Sequence, residues 1–130
     1  MKIAVITDDH QTISSHFGRA TYYEVFTIEN GKITQQVTRP KPGHNQFAGE
    51  PHDNLGEGHG HGPAAEGRHV RMIEPICDCQ VLLARGMGQG AHDNLRRAGI
   101  QPILTDIHEI EHAVKAYIAG QLIDHPERLH

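Results

Sequence analysis

The sequence predicts an α/β fold, a mixed five-stranded sheet flanked by helices. Three observations carry this. An apolar opening run is followed by two alternating segments around an Asn-Gly turn, a second apolar run leads into a glycine loop, and a helical stripe follows one more short strand. The first half has the pattern of antiparallel pairing and the second that of parallel crossovers.

Lys2 to Thr7 is nearly all apolar and reads as a strand buried on both faces, and Tyr22 to Glu29 alternates well enough to be a second. Asn30-Gly31 supplies the turn of a tight hairpin, because both residues accept positive φ, so Lys32 to Thr38 returns as a third strand. Arg39 to Gly67 then holds four prolines, seven glycines and four histidines with few apolar anchors, which predicts a long loop without regular structure. Ala64 to Ile76 is predicted as a helix with Val70, Ile73, Ile76 and Cys77 on one face. The apolar run Val81 to Ala84 is a buried strand. A helix from about Ala91 to Ala98, closed by Gly99, and a strand at Gln101 to Leu104 complete a right-handed parallel crossover. Asp106 and Glu109 have the spacing of a capping box for a last helix, whose buried stripe is Ile107, Ile110, Val114, Tyr117 and Ile118. The tail at 121–130 is expected to fray. Three strands followed by αβαβα give a ribonuclease-H-like topology in one domain spanning 1–120, with the Gly/His-rich loop at 39–67.

Composition narrows the function. The 130 residues carry a formal net charge of −4, and no Lys/Arg cluster exists to neutralise phosphates, so nucleic acid is not an expected partner. No apolar run approaches a membrane span. The opening run is shorter than a signal-peptide core, and together with the Cys77-Asp78-Cys79 spacing it predicts a reducing, cytoplasmic setting. Twelve histidines are the compositional oddity, and they are scattered singly along the chain.

Several groups have the chemistry of a site. His16 lies in the loop leaving the first strand, where the carboxyl edge of an α/β sheet places ligands, and imidazole suits iron or zinc; its alternative is a ring bonded to a loop carbonyl. Arg19 either neutralises an anion or pairs with a neighbouring carboxylate. Gly86-Met87-Gly88-Gln89-Gly90-Ala91 contains G-x-G-x-x-A between a strand and a helix, with Asp106 beyond it, but too little chain follows to build a dinucleotide site. Free amides at that helix start attract any anion, and Met87 offers either a thioether or packing. Cys77 and Cys79 read as buried core by periodicity and as thiolate ligands by chemistry, although two thiolates do not close a zinc or four-cysteine cluster site. His44, His52, His59 and His61 in the loop suit Zn, Ni or Fe. His108-Glu109-Ile110-Glu111-His112 matches H-E-x-x-H, but both histidines fall off the apolar stripe and face solvent. A Mg-dependent nuclease is disfavoured: Asp8 and Asp9 end the first strand, while Tyr22 to Glu29 and Val81 to Arg85 show no matching inward acid.

Two stretches carry a family resemblance: Ser15-His16-Phe17-Gly18-Arg19-Ala20, and Val81 through Ala91 with Arg97-Ala98-Gly99-Ile100 behind it. Together they resemble the dinitrogenase iron-molybdenum cofactor biosynthesis family, NifX-like and similar to the C-terminal domain of NifB-type proteins. The resemblance spans nearly the whole chain. It implies a ribonuclease-H-like fold without nuclease activity, no enzymatic function, and binding or transfer of an iron-sulfur or iron-molybdenum cluster between donor and acceptor proteins. The cluster's identity, the partners and the oligomeric state stay open. The alternative is a metal buffer or chaperone centred on the loop histidines. The expected docking place is the cleft between the His16 loop and the Gly86 to Gly90 loop.

Overall fold

The computed structural model describes residues 1–42 and 72–129. Five strands, β1 (Lys2–Thr7), β2 (Tyr22–Glu29), β3 (Lys32–Pro40), β4 (Val81–Ala84) and β5 (Gln101–Leu104), form one sheet in the order β3-β2-β1-β4-β5. The hairpin side is antiparallel, and β1, β4 and β5 are mutually parallel. Two α-helices stand among the described residues, α1 (Gln89–Arg97) and α2 (Ile110–Ile118), with 3-10 turns at Glu74–Ile76 and Pro126–Arg128. The mixed five-stranded α/β architecture is as expected.

The central position of β1 explains its composition. A strand paired on both edges and covered on both faces has no solvent side, so alternation disappears. Ile3, Ala4, Val5 and Ile6 are all fully buried, as are the four residues of β4. β3 is an edge strand and alternates between half-buried and exposed positions.

The hairpin turns at Asn30 and Gly31, both at positive φ (54° and 76°). Simple pairing continues only from Glu29↔Lys32 to Ile28↔Ile33; a bulge then shifts the register so that Thr27 faces Gln35, Val25 faces Val37 and Glu24 faces Thr38. One extra residue swaps the faces of everything beyond it. Val37 therefore joins Val25 on one face, while Thr38 and Gln36 join Glu24 on the other.

Several boundaries differ from expectation. β3 runs two residues further, to Pro40, because Arg39 is anchored: its Nη1 donates to Asp78 Oδ1 and to the Pro75 carbonyl, both at 2.7 Å. The helix predicted over Ala64 to Ile76 enters the described residues only at Met72, where Ile73 and Ile76 are buried as expected. Cys77 lies beyond that turn and is exposed, so its assignment to the apolar face does not hold. α1 starts two residues early, at Gln89, so Gly90 sits inside its first turn. It closes as predicted at Gly99, whose φ of 82° suits a residue without Cβ.

Two corrections concern the C-terminal half. The Asp106/Glu109 capping box does not form: α2 begins at Ile110 with Glu109 at the N-cap and no side-chain cap bond. The reason is competition, since the Ile110 amide donates to the Gln11 carbonyl at 3.0 Å and Thr12 bridges Glu109, tying this entry to the β1 loop instead. The tail does not fray either. The Leu104 amide donates to Asp124 Oδ1 at 2.9 Å, the His125 amide donates to the Leu104 carbonyl at 2.7 Å, and Leu129 bridges Met87. These bonds occupy backbone groups that an edge strand would otherwise leave unpaired.

Asp124→Ala strands the half-buried Leu104 amide, and the expected cost is about 1–2 kcal/mol of folding stability. Urea denaturation measures it; a change within a few tenths of a kcal/mol would mean that water replaces the carboxylate freely.

Candidate functional site at the carboxyl edge of the sheet

Because β1, β4 and β5 are parallel, their carboxyl ends share one edge of the sheet, and the loops leaving them share it too. The β1 loop is held by its own acids. Asp9 accepts the amides of Thr12 and Gln11 at 2.7 and 2.9 Å and the Thr12 hydroxyl at 2.8 Å, and those bonds keep its carboxyl well below the usual range. Asp8 Oδ1 accepts the amide and hydroxyl of Thr21, both at 2.9 Å, closing the loop at its far end. Both carboxylates are therefore engaged in shaping backbone. Among the described residues no group of three or more His, Cys, Asp or Glu side chains is positioned to hold a metal ion.

The middle of the loop is stitched to its neighbours. The Ser14 amide donates to the Ile6 carbonyl, the Ile13 amide donates to the His108 carbonyl, and the Arg85 amide donates to the Ser14 carbonyl at 2.9 Å. That last bond joins the β1 loop directly to the residue before Gly86. Beyond it the chain turns tightly, with the amides of Arg19 and Ala20 both donating to the His16 carbonyl at 3.1 Å. Phe17 and Ala20 are buried, which pins the turn and leaves the side chains of His16 and Arg19 on the outside.

On the β4 side, Gly86 is buried and Met87 is 1% exposed within the core, so the Met87 side chain serves packing. Gly88 is the N-cap of α1, and no side chain caps that first turn. Gln89 and Gly90 are exposed there. Helix-terminal amides of this kind favour a negative ligand. Two cationic side chains also stand at this edge of the sheet, Arg85 beside Gly86 and Lys41 beside Phe17 of the His16 turn. Among the described residues the Nε of Arg85 is buried without a hydrogen-bond partner, and so is the Lys41 Nζ, which lies 4.5 Å from the centre of the Phe17 ring.

The remaining candidates fall elsewhere. Cys77 and Cys79 precede β4, and the Gln80 amide donates to the Lys2 carbonyl, so they sit at the amino edge, across the sheet from His16. Burial pushes the Cys79 thiol up to about 12, which keeps it protonated and a poor ligand. His108 precedes α2 while His112 lies within it, so H-E-x-x-H does not put two imidazoles on one helix face. His44, His52, His59 and His61 lie outside the described residues. A groove of about 450 Å³ lies beside α1 and the start of β5, lined by His92, Arg96, Gly99, Gln101 and Asp124.

Sequence reading missed three residues here. Glu24 was not counted as an inward acid, yet it is 3% exposed. His10 and Lys41 also escaped notice, His10 because a histidine after two aspartates reads as plain loop, Lys41 because it was assigned to the long loop. The paired prolines flanking Lys41 were the available signal, since they stiffen the chain where the lysine turns inward.

Burial lowers the Lys41 amine to about 8, so below that pH the folded protein carries a desolvated charge that the unfolded chain does not. The unfolded state binds this proton more tightly, hence the penalty is full below about pH 8 and disappears as pH rises toward the ordinary lysine value of 10.5. Lys41→Met is expected to exceed the wild type in stability at pH 7 by up to about 3 kcal/mol, with the gap closing by about pH 10. Paired denaturation curves across that range test it. A gap that does not change with pH would show that the amine is not the cause.

The family model described as dinitrogenase iron-molybdenum cofactor matches residues 1–120. A search of curated protein sequences returns no match. Among solved structures, the protein PH0822 is 21% identical over 96% of both chains with a TM-score of 0.68. The apo form of the orange protein from Desulfovibrio gigas is 19% identical, covering 95% of this chain and 92% of that one, with a TM-score of 0.67. A Methanocaldococcus jannaschii protein is 10% identical over 96% of this chain and 94% of its own, at a TM-score of 0.63. These likenesses establish the fold, and the family match over nearly the whole chain establishes kinship. The chain belongs to the dinitrogenase iron-molybdenum cofactor family.

Proposed function

We propose that this protein binds and carries an anionic iron-sulfur or iron-molybdenum cluster during cofactor assembly in the cytoplasm, on a ribonuclease-H-like frame, without catalysing a reaction itself. The observation that carries this reading is the 2.9 Å bond from the Arg85 amide to the Ser14 carbonyl, which brings the His16 turn beside the Gly86 to Gly90 loop at one sheet edge. A cluster seated between them meets an imidazole from His16, the guanidinium of Arg19 and the uncapped amides of the first turn of α1. Gly86, Gly88 and Gly90 let the backbone approach the cargo. Lys41 and Arg85 add positive charge from below. Sulfide-rich clusters are polyanions, so this local balance suits them although the whole chain is acidic.

The donor and acceptor are other proteins that hold the same cluster, because a carrier must receive and surrender it. Buffering of Zn, Ni or Fe by His44, His52, His59 and His61 is a separate reading. It does not require the His16 turn, and that difference separates the two.

Anaerobic reconstitution with ferrous iron, sulfide and molybdate, followed by optical titration, tests the proposal. His16→Ala and Arg19→Ala are each expected to weaken cluster binding at least tenfold, the scale of a lost metal bond or charge-assisted contact. His112→Ala, on the exposed side of α2, leaves affinity unchanged, and neither peptide nor nucleic acid is cleaved with any metal supplied. Equal affinity in wild type and His16→Ala removes His16 as a ligand, and uptake of bare Zn²⁺ or Ni²⁺ without cluster favours the buffer.

A further inference from the structure

The chain between β4 and α1 has little of its own to fix it. Three of the five residues from Gly86 to Gly90 are glycines, which are ordered at a high entropic cost, and Gly88 at the N-cap brings no side chain to tie the first turn. The His92 amide donates to the Gly88 carbonyl at 3.1 Å as the first bond along α1, so the amides of Gln89, Gly90 and Ala91 have no partner within the helix. Ser14 holds the loop at one point, through the Arg85 amide. The segment from Asp124 to Leu129 supplies two more.

Leu129 forms a parallel bridge with Met87 and packs, half-buried, against the core. Arg128 Nη1 reaches the Arg85 carbonyl at 3.4 Å, a long bond that adds to the bridge beside it. The segment is stiff where it makes these contacts. Pro126–Arg128 is a 3-10 turn in which the Arg128 amide donates to the His125 carbonyl and the Leu129 amide to the Pro126 carbonyl, both at 3.0 Å. Its other end is fastened to β5 through the Leu104 amide on Asp124 and the His125 amide on the Leu104 carbonyl. The His125 ring lies between two carboxylates, with Nδ1 2.8 Å from Glu127 Oε2 and Nε2 3.6 Å from Asp106 Oδ1. The segment is therefore an anchored strap, and it ties Arg85 and Met87 to the end of the sheet.

We infer that this strap belongs to the docking site: by pinning Arg85 and Met87 it fixes the glycine loop and the first-turn amides of α1 in the arrangement that receives an anionic cargo. This rests on the carrier reading above and adds to it the means of preorganisation. Arg128 and Leu129 are positioning residues, acting through the backbone they hold. Amides already in place bind an anion without first losing freedom, so affinity depends on a segment that need not touch the ligand.

The test uses the full chain labelled with ¹⁵N, first without cargo and then reconstituted anaerobically with ferrous iron, sulfide and molybdate. In the wild type the amides from Met87 to Gly90 are expected to have order parameters in the rigid range, about 0.85. With Arg128→Met and Leu129→Ala together they are expected to fall toward about 0.6 while β1 and β2 keep theirs, and cluster affinity to drop at least tenfold. Arg128→Lys, which keeps a donor for the Arg85 carbonyl, is expected to stay close to wild type. Ile33→Ala, on β3 at the far edge of the sheet, also removes contacts with the core, and is expected to lower stability while leaving loop order and affinity unchanged. If wild type and His16→Ala behave as a carrier predicts while the double variant matches wild type in affinity, the strap assignment is wrong and the carrier reading stands. If wild type takes up no cluster, both are wrong.

Discussion

Every candidate ligand at the carboxyl edge takes its position from where β1 stops. β1 is paired antiparallel to β2 and parallel to β4, and is buried along its length, so it has almost no freedom to slide or tilt. Sliding by one residue would turn Ile3, Val5 and Thr7 to the opposite face and break both ladders at once. The loop that follows inherits this rigidity. Its backbone is bonded to the last turn of its own strand, to the exit of β4 and to the entry of α2, three elements that meet only because two parallel strands end together.

Polar groups in this loop divide according to what they satisfy. Asp8 and Asp9 serve backbone amides, which accounts for two acids that otherwise suggest metal-dependent catalysis. Glu24 serves the side chains of Thr38, Gln36 and His10, and despite its burial their bonds hold it charged. Lys41 and Arg85 carry buried nitrogens with no hydrogen-bond partner among the described residues, a free-energy cost at this edge that an anionic ligand would offset. The acidity of the whole chain and the donor-rich character of this edge are compatible because a short-range field decides what binds.

The strands were legible because burial on two faces leaves an unbroken apolar run, and the hairpin because Asn-Gly has few other uses. The His16 turn and the glycine loop were legible as short patterns, but the bond that joins their neighbourhoods, from the Arg85 amide to the Ser14 carbonyl, was not. What could not be read was anything that depends on register. Counting outward from Asn30-Gly31 pairs Glu24 with Val37; only the bulge brings Thr38 opposite it, and no residue type announces that bulge. The acid therefore looked surface-facing, and its bonds to Thr38, Gln36 and His10 were invisible. The failed capping box has a similar origin, since Asp106 and Glu109 satisfy the local pattern while the amides concerned find partners almost a hundred residues earlier, in the β1 loop. For the same reason the docking of the tail on Leu104 was invisible, because a tail with two acids and a proline reads as solvent-exposed until its partner strand is known.

The pairing of β1 with β4 also bears on how this fold can vary. β3 ends at Pro40 and β4 begins at Val81, and the sheet holds both ends of the stretch between them in place. The entropy of closing such a loop grows only with the logarithm of its length, about 0.6 kcal/mol for each doubling. Lengthening, shortening or recoding that stretch is therefore cheap for the sheet, whereas a single insertion in β1 or in the hairpin is not. Sequence drift is expected to accumulate between Pro42 and Met72, which makes that interval the natural place for related chains to diverge while keeping one frame.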